Sequence, residues 1–325
     1  MSRQLAIGYL GSPEFSASLL HYLVRELSDL VCIKAVWTNP PRQAGRGTEK
    51  KSTPVSKCAK SLGIDVIEKS IISEADLNLV KEKKIDLLLV VAYGSILPKF
   101  FFDAPRFGSY NIHFSLLPAY RGASPIQSAI LKGEEESGIT LQKIAEKLDS
   151  GPIVMQKKFS IKDCNFERVL AISLEKSKEM LKEFFSSKNI ADWPHVKQKE
   201  SEATYCKKVK KINGKIGAQD SCFIFRQKLL AYTPWPGLFF YVQNQKIEVF
   251  DYQPVCDNSD NHFDAFLKHM PAGCLFVDEE GRLLLVLIDG VVNITRLKRA
   301  GKKEMDASEF VRGYQKKLPI FIDNL

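Results

Sequence analysis

Ile85-Asp86-Leu87-Leu88-Leu89-Val90-Val91-Ala92 is the run whose reading decides the fold. It is continuously apolar apart from Asp86, preceded by Lys83-Lys84 and followed by Tyr93-Gly94. A strand with one face in water alternates apolar and polar residues; an unbroken run suits the centre of a parallel sheet covered on both faces. Working back toward the N-terminus, Ser73–Lys83 reads as a helix and Asp65–Ile67 as a brief strand. Thr53-Pro54 opens a helix with Val55, Cys58, Ala59 and Leu62 at helical spacing, and Gly63 stops it. Val31–Trp37 and Leu5–Leu10 read as two further strands. After Gly11, Ser12 is expected to cap a helix, with Pro13 in its first position and Glu14 favouring its positive end. Strands alternating with helices imply right-handed crossovers and an α/β, doubly wound, mostly parallel Rossmann-like sheet. Sites on such sheets lie at the carboxyl ends of the strands.

Beyond the central run, Tyr110–His113 reads as the end of another strand and Ser124-Pro125 as a helix start. Gly138–Ile144 and Pro152–Ile161 read as strands flanking the turn Glu146–Gly151, and a long amphipathic helix follows from about Phe166 to Phe185. A polar, mixed stretch then reads as a linker. After it short strands dominate: Gly237–Val242, Lys246–Tyr252, Gly273–Val277, Arg282–Ile288 and Val292–Leu297. This texture predicts a small C-terminal OB-like β-barrel, with the stiff Pro234-Trp235-Pro236-Gly237 at a corner. The expected division is a first domain over 1–188, a linker over 189–206 and the barrel over 207–325.

The chain has 325 residues, 45% hydrophobic and 26% charged, with a formal net charge of +9. That length suits two domains, and the charge points toward a polyanionic partner. No signal peptide and no run of about 18 apolar residues is found, so a cytoplasmic monomer without membrane contact is expected. The seven cysteines are odd in number, scattered and without C-x-x-C, as expected of reduced thiols rather than a disulfide frame or zinc site.

Asn111, His113 and Ser115 fall at alternate positions at the predicted strand end, which starts them on one side. An amide donor beside an imidazole suits chemistry in which an oxyanion forms and a proton moves, though a strand end with merely satisfied polar groups has the same spacing. Asp149 is a carboxylate that can orient an imidazole if the fold brings it there, or else ordinary turn chemistry before Ser150-Gly151. Thr38–Lys51 is long for a βα loop, which usually takes about 2–6 residues. It carries Arg42, Arg46, Lys50 and Lys51, fit either for a phosphate backbone or for a solvated surface. The same two readings apply to Lys207, Lys208, Lys210, Lys211 and Lys215. Gly8-Tyr9-Leu10-Gly11-Ser12-Pro13 lacks the dinucleotide glycine spacing, no Walker-type phosphate loop occurs, and the histidines are dispersed. Nicotinamide, flavin and metal are therefore not expected.

Asn111-x-His113-x-Ser115-Leu116-Leu117-Pro118 with Asp149 downstream resembles the active site of the 10-formyltetrahydrofolate-dependent formyltransferases. The resemblance extends over nearly the whole chain. It is carried by Gly11–Phe15, Ala44–Gly47, Val91–Pro98, Arg121–Gln127, Pro234-Trp235-Pro236 and Ala300–Lys303. The last two groups lie in a second domain that smaller family members lack, which points to the branch whose acceptor is methionine on initiator tRNA. The resemblance implies 10-formyltetrahydrofolate as co-substrate and N-formylmethionyl-tRNA, for translation initiation, as product. It implies that Asn111 donates to the oxyanion, that His113 handles the proton and that Asp149 orients it. Tyr93, Gly94, Ile96, Leu97 and Pro98 would shape the folate site with Ser115, Leu116, Leu117 and Pro118. Arg42, Arg46, Lys50 and Lys51 would meet the tRNA acceptor end, and Lys207, Lys208, Lys210 and Lys211 with the barrel its backbone. A folate-dependent enzyme acting on another amine, such as an amino-sugar nucleotide, is the alternative; a non-catalytic RNA-binding protein is the third reading. This chain departs from the family pattern at Pro41, where an Asp is usual, and at Thr48-Glu49, where lysines are usual. It departs again around Asp149, and at Phe114, where a small residue is common.

Overall fold

The computed structural model describes residues 4–43, 50–187, 189–255, 270–314 and 318–323. The chain forms two compact units: Met1–Ile126 with Glu136–Ser160 and Val169–Lys207, and Gln127–Glu135 with Ile161–Arg168 and Lys208–Leu325. The stretch expected as a linker, 189–206, thus lies within the first unit.

The first part of the chain runs β1 Leu5–Gly11, α1 Glu14–Glu26, β2 Val31–Thr38, β3 Arg42–Gln43, β4 Lys50–Lys51, α2 Pro54–Ser61, β5 Val66–Glu68, α3 Glu74–Glu82, β6 Leu87–Val91 and α4 Lys99–Phe102. There follow β7 Ser109–His113, β8 Arg121–Gly122, α5 Pro125–Leu131, β9 Glu136–Lys143, β10 Ile153–Ser160, α6 Phe166–Ser186 and β11 Tyr205–Cys206. Seven strands form one sheet in the order β10-β9-β7-β6-β1-β2-β5. The apolar run becomes β6, the middle strand, with every residue buried. Its neighbours β1 and β7 are parallel to it, and only β9 runs against the others, pairing antiparallel with both β7 and β10. The doubly wound, mostly parallel sheet is as expected.

Local chemistry sets the elements. Thr53 caps α2 by accepting from the Ser56 N–H at 3.1 Å, and Gly63 follows the helix with φ +69°. Asp76 in the first turn of α3 reaches back to the Ser73 N–H at 2.8 Å. The same buried carboxylate accepts from Trp37 Nε1 at 2.9 Å and Lys69 Nζ at 2.8 Å, tying α3 to β2. Burial pushes its pKa up, but these donors outweigh burial and hold it below the usual carboxylate range. Trp37, Leu88, Val90, Tyr93 and Phe101 fill the core beneath.

Ser12 differs from expectation. Pro13 occupies the cap position of α1, with no side-chain cap bond. The Ser12 hydroxyl instead donates to the Tyr93 carbonyl and accepts from the Asn39 side chain at 2.9 Å. A partner from two other strand ends has won over the local helix end.

The second unit is a curled antiparallel sheet. Its elements are α7 Cys222–Tyr232, β12 Leu238–Val242, β13 Gln245–Pro254, β14 Cys274–Val277, β15 Leu283–Leu287, β16 Gly290–Arg299, β17 Glu304–Asp306, α8 Ala307–Tyr314 and β18 Ile320–Phe321. The strand path is β12-β13-β16-β15-β14-β18, with β17 beside β16. The five expected strands are all present. Inward residues Leu238, Phe240, Ile247, Leu285 and Ile294 pack with Phe225 and Phe310 of the two helices, which strand texture did not anticipate. Just past β18, Asp323 donates its N–H to the Tyr241 carbonyl on β12 and accepts from the Gln243 and Asn244 N–H groups. The two ends of the strand path are thereby bridged.

Candidate active site

The site grows from the carboxyl end of β7, beside the central strand. Asn111 stands opposite Val90 of β6 and Gln142 of β9; His113 stands opposite Thr140 of β9. Two residues apart in a strand, Asn111 and His113 belong to one face. Asn111 is half-buried, and its side-chain amide has no hydrogen-bond partner among the described residues, which leaves an oriented donor open to a ligand. His113 is buried. Its Nε2 lies 2.8 Å from the Tyr120 carbonyl oxygen, which can only accept, so Nε2 carries the proton. Nδ1 is then the basic nitrogen, and it faces Asp149 Oδ2 at 3.7 Å. That distance is too long for a hydrogen bond, so the two groups face each other without being bonded. Tyr120 has φ +60° and Asp149 φ +49°, left-handed values uncommon outside glycine.

Asp149 is held on several sides. Its Oδ2 accepts from the Gly122 N–H at 2.8 Å and its Oδ1 from Gln142 Nε2 at 3.0 Å. Gln198 Nε2 donates to the carbonyls of Asp149 and Gly151 at 2.9 and 2.7 Å. Behind it, Arg121 Nε and Nη2 donate to Gln198 Oε1 at 3.1 and 2.9 Å. Arg121 Nη1 donates to both Glu200 carboxylate oxygens at 3.0 Å and to the Tyr205 hydroxyl. Burial works against the Arg121 charge, but Glu200 and Tyr205 outweigh it and raise its pKa; the same guanidinium holds Glu200 below the usual range.

Ser115 leaves the row. The strand ends at His113, and the fully buried Ser115 hydroxyl donates to the Ala119 carbonyl at 2.6 Å. Leu117 is buried, and Leu116 and Pro118 are half-buried in the same turn. Phe114 is buried and packs edge-on against Phe15 with ring centroids 5.3 Å apart. Tyr93 is buried with its hydroxyl on the Lys69 carbonyl, while its own carbonyl is gripped by Ser12 and Asn39. Gly94 is exposed, Leu97 and Pro98 are half-buried, and Ile96 is 93% exposed, a large apolar side chain offered to solvent at the end of the central strand.

Arg42 and Lys51 are paired across the short β3–β4 ladder, as are Gln43 and Lys50, and all four are exposed. Arg42 Nη2 also donates to Asn39 Oδ1 at 3.3 Å. Arg46 lies outside the described residues. Lys207 is exposed at the end of the first unit, and Lys208, Lys210 and Lys211 are exposed at the start of the second. Among the described residues no group of three or more His, Cys, Asp or Glu side chains could hold a metal, and no helix is long and apolar enough to cross a membrane.

Gln142 and Gln198 are not singled out by the sequence. Each is an uncharged amide, outside any motif, whose value comes only from what the fold sets around it. Gln142 had one available signal: it alternates with Thr140 along a strand expected to flank the Asp149 turn.

The sequence profile described as "Formyl transferase" matches residues 5–181, and "Formyl transferase, C-terminal domain" matches residues 208–315. The methionyl-tRNA formyltransferase of Rhizorhabdus wittichii is 32% identical over 311 residues, 95% of this chain and 96% of that protein. That of Kosmotoga olearia is 33% identical over 301 residues, 92% of this chain and 93% of that one. Among solved structures, an N-formyltransferase from Helicobacter canadensis in complex with folinic acid and dTDP-3-aminofucose shares the fold with a TM-score of 0.61 at 20% identity, over 90% of this chain and 99% of that one. HypX from Aquifex aeolicus in complex with tetrahydrofolic acid does so with a TM-score of 0.61 at 17% identity, over 97% of this chain, which spans 48% of HypX. Profile matches over both units, and relatives above 30% identity along nearly the whole length, place this chain in the formyltransferase family, in its methionyl-tRNA formyltransferase branch.

Proposed function

We propose that the protein transfers a formyl group from 10-formyltetrahydrofolate to the α-amino group of methionine on initiator tRNA. The methionine nitrogen attacks the formyl carbon, a C–N bond forms, and the bond from that carbon to the folate nitrogen breaks. The proton lost by the amine is returned to the folate nitrogen. Asn111 donates to the oxygen as it gains charge, a role worth ~2.7–4 kcal/mol in comparable sites. His113 takes up and returns the proton at Nδ1, because Nε2–H is committed to Tyr120. Asp149 stabilises the charged ring. Residues 93–98 and 115–118 would hold the folate, the exposed Ile96 and Gly94 by contact and the buried Ser115 and Leu117 by shaping their turn. Arg42, Arg46, Lys50, Lys51 and the Lys207–Lys211 cluster would hold the tRNA, with the boundary between catalytic and tRNA-binding domains near residue 207. A monomer in the cytoplasm is part of the same proposal.

What supports the reading is the meeting of Asn111 and His113 with Asp149, which is distant from them in sequence, at the end of the central strands in a chain of this branch. The experiment is transfer of labelled formyl from the folate donor to initiator Met-tRNA, elongator Met-tRNA, free amines and an amino-sugar nucleotide. Strong preference for initiator Met-tRNA is expected. No transfer to any acceptor refutes the reading, and transfer to the sugar nucleotide alone replaces it. Arg46→Ala is expected to impair tRNA use while folate binding stays within about twofold; equal loss of both removes the loop from the tRNA site.

A further inference from the structure

The segment between the two matched profiles, residues 182–207, has the composition of a linker, yet part of it is built into the active site. Tyr205 and Cys206 of β11 pair in parallel with Arg121 and Gly122 of β8. Thr204 accepts from the Arg121 N–H at its carbonyl and from the Tyr120 N–H at its hydroxyl, both at 2.8 Å. The segment therefore binds the backbone of Tyr120, whose carbonyl holds His113, and, through Arg121 and Ala123, the backbone on either side of Gly122, whose N–H holds Asp149. At its start Gln198, only 9% exposed, spans from Arg121 to the Asp149–Gly151 turn.

We propose that Gln198 is a positioning residue of the formyl-transfer site, with Arg121 as its support; this rests on the function proposed above. An amide is the side chain the place demands. Its nitrogen must donate twice, to the carbonyls of Asp149 and Gly151, and its oxygen must accept two bonds from a guanidinium. A carboxylate would meet those carbonyls without donors, and an ammonium would meet Arg121 with like charge. Gln142, the other side chain on the Asp149 carboxylate, has its Oε1 3.4 Å from Gln198 Nε2, whose two hydrogens already serve the two carbonyls. One side chain thus holds the turn that carries the carboxylate and lies beside the amide that aims it. Glu200 anchors the far end of Arg121 from the surface, so the guanidinium is fixed at both ends before it fixes Gln198.

The test uses the full-length protein with Gln198→Ala and Gln198→Met, the second keeping most of the volume without the hydrogen bonds. Formyl transfer to initiator Met-tRNA is measured well below the melting temperature, with wild type alongside, together with hydrogen exchange of the 146–152 turn. Wild-type transfer establishes the activity independently, so an inactive wild type counts against the function and not against this assignment. A geometric slip near a reacting centre can cost on the order of 100-fold. We expect kcat to fall about ten- to a hundredfold in both variants, KM for folate donor and for Met-tRNA to stay within about twofold, and exchange of the turn to rise. Unchanged kcat in a folded variant overturns the proposal. So does a loss carried by KM for Met-tRNA with the turn still protected, which would make the segment a tRNA contact instead.

Discussion

Gly122→Ala tests the backbone arm that holds Asp149, the carboxylate proposed to serve His113. Gly122 has φ +121°, a conformation L residues rarely adopt, and a Cβ built there would lie 2.2 Å from the Cys206 carbonyl oxygen. Relieving that contact requires a displacement of about 1 Å between two paired segments, β8 and β11. The N–H of the same residue donates to Asp149 Oδ2 at 2.8 Å, and it cannot follow such a shift and keep its geometry. Strain at such a backbone position costs ~1–3 kcal/mol. Loss of a hydrogen bond to a charged group costs ~1.5–3 kcal/mol more. Together these predict a loss of roughly 2.5–6 kcal/mol, or a melting temperature lower by roughly 5–20 °C for a unit of this size. The rate should fall by up to about 100-fold, because Asp149 is released on one side. Thermal unfolding by circular dichroism and single-turnover formyl transfer well below the transition measure the two effects. Gly217→Ala is the control: an added Cβ there meets nothing within 4 Å, and little change is expected. A Gly122→Ala protein with wild-type melting temperature and rate would refute the reasoning.

Asn111→Ala should lower kcat about 100- to 1000-fold with folate affinity nearly unchanged; a defect confined to folate binding would remove the oxyanion role. Phe114→Ala should destabilise by ~3–5 kcal/mol through the lost packing against Phe15, and an unchanged denaturant midpoint would show that the ring is dispensable. Asp76 gives a pH signature. Its folded pKa is depressed, so its contribution is complete above its unfolded value of about 3.9 and disappears as pH falls through the lower folded one. Urea midpoints of wild type and Asp76→Asn between pH 6 and pH 2 should therefore differ most at the upper end and converge at the lower; a constant gap would contradict the linkage.

The sheet was legible because its signals are local. The run at 87–91 has no polar residue to place on a wet face, and Thr53-Pro54 announces a helix with its first two residues. Ser12 misled because a side chain cannot reveal, from its neighbours, that Asn39 and the Tyr93 carbonyl will be closer than its own helix end. Helix α7 was hidden by a composition too uniformly apolar to show a stripe, as in Cys222-Phe223-Ile224-Phe225 and Leu229-Leu230-Ala231-Tyr232. Residues 198–206 were read as linker because a polar segment reads alike whether water or a buried guanidinium answers its hydrogen bonds. In the site, Asn111 and His113 were legible from alternation. The approach of Asp149 was not, since it depends on how β9 and the turn after it return to β7. Phe114, conspicuous within the motif, proved to be packing.

The carbonyl of Tyr120 has a consequence for how this site can vary. In many acid–histidine pairs the carboxylate itself selects which ring nitrogen is protonated, so replacing it inverts the imidazole as well as removing a charge. Here that choice belongs to a main-chain oxygen, which no substitution can delete. Nitrogen-15 NMR of Asp149→Asn should accordingly find His113 still protonated at Nε2 when neutral. Drift in the residues around the carboxylate, from Ile144 to Gly151, then leaves the choice of protonated nitrogen untouched. The tautomer is stored in the backbone at Tyr120 and not in the side chains of that turn.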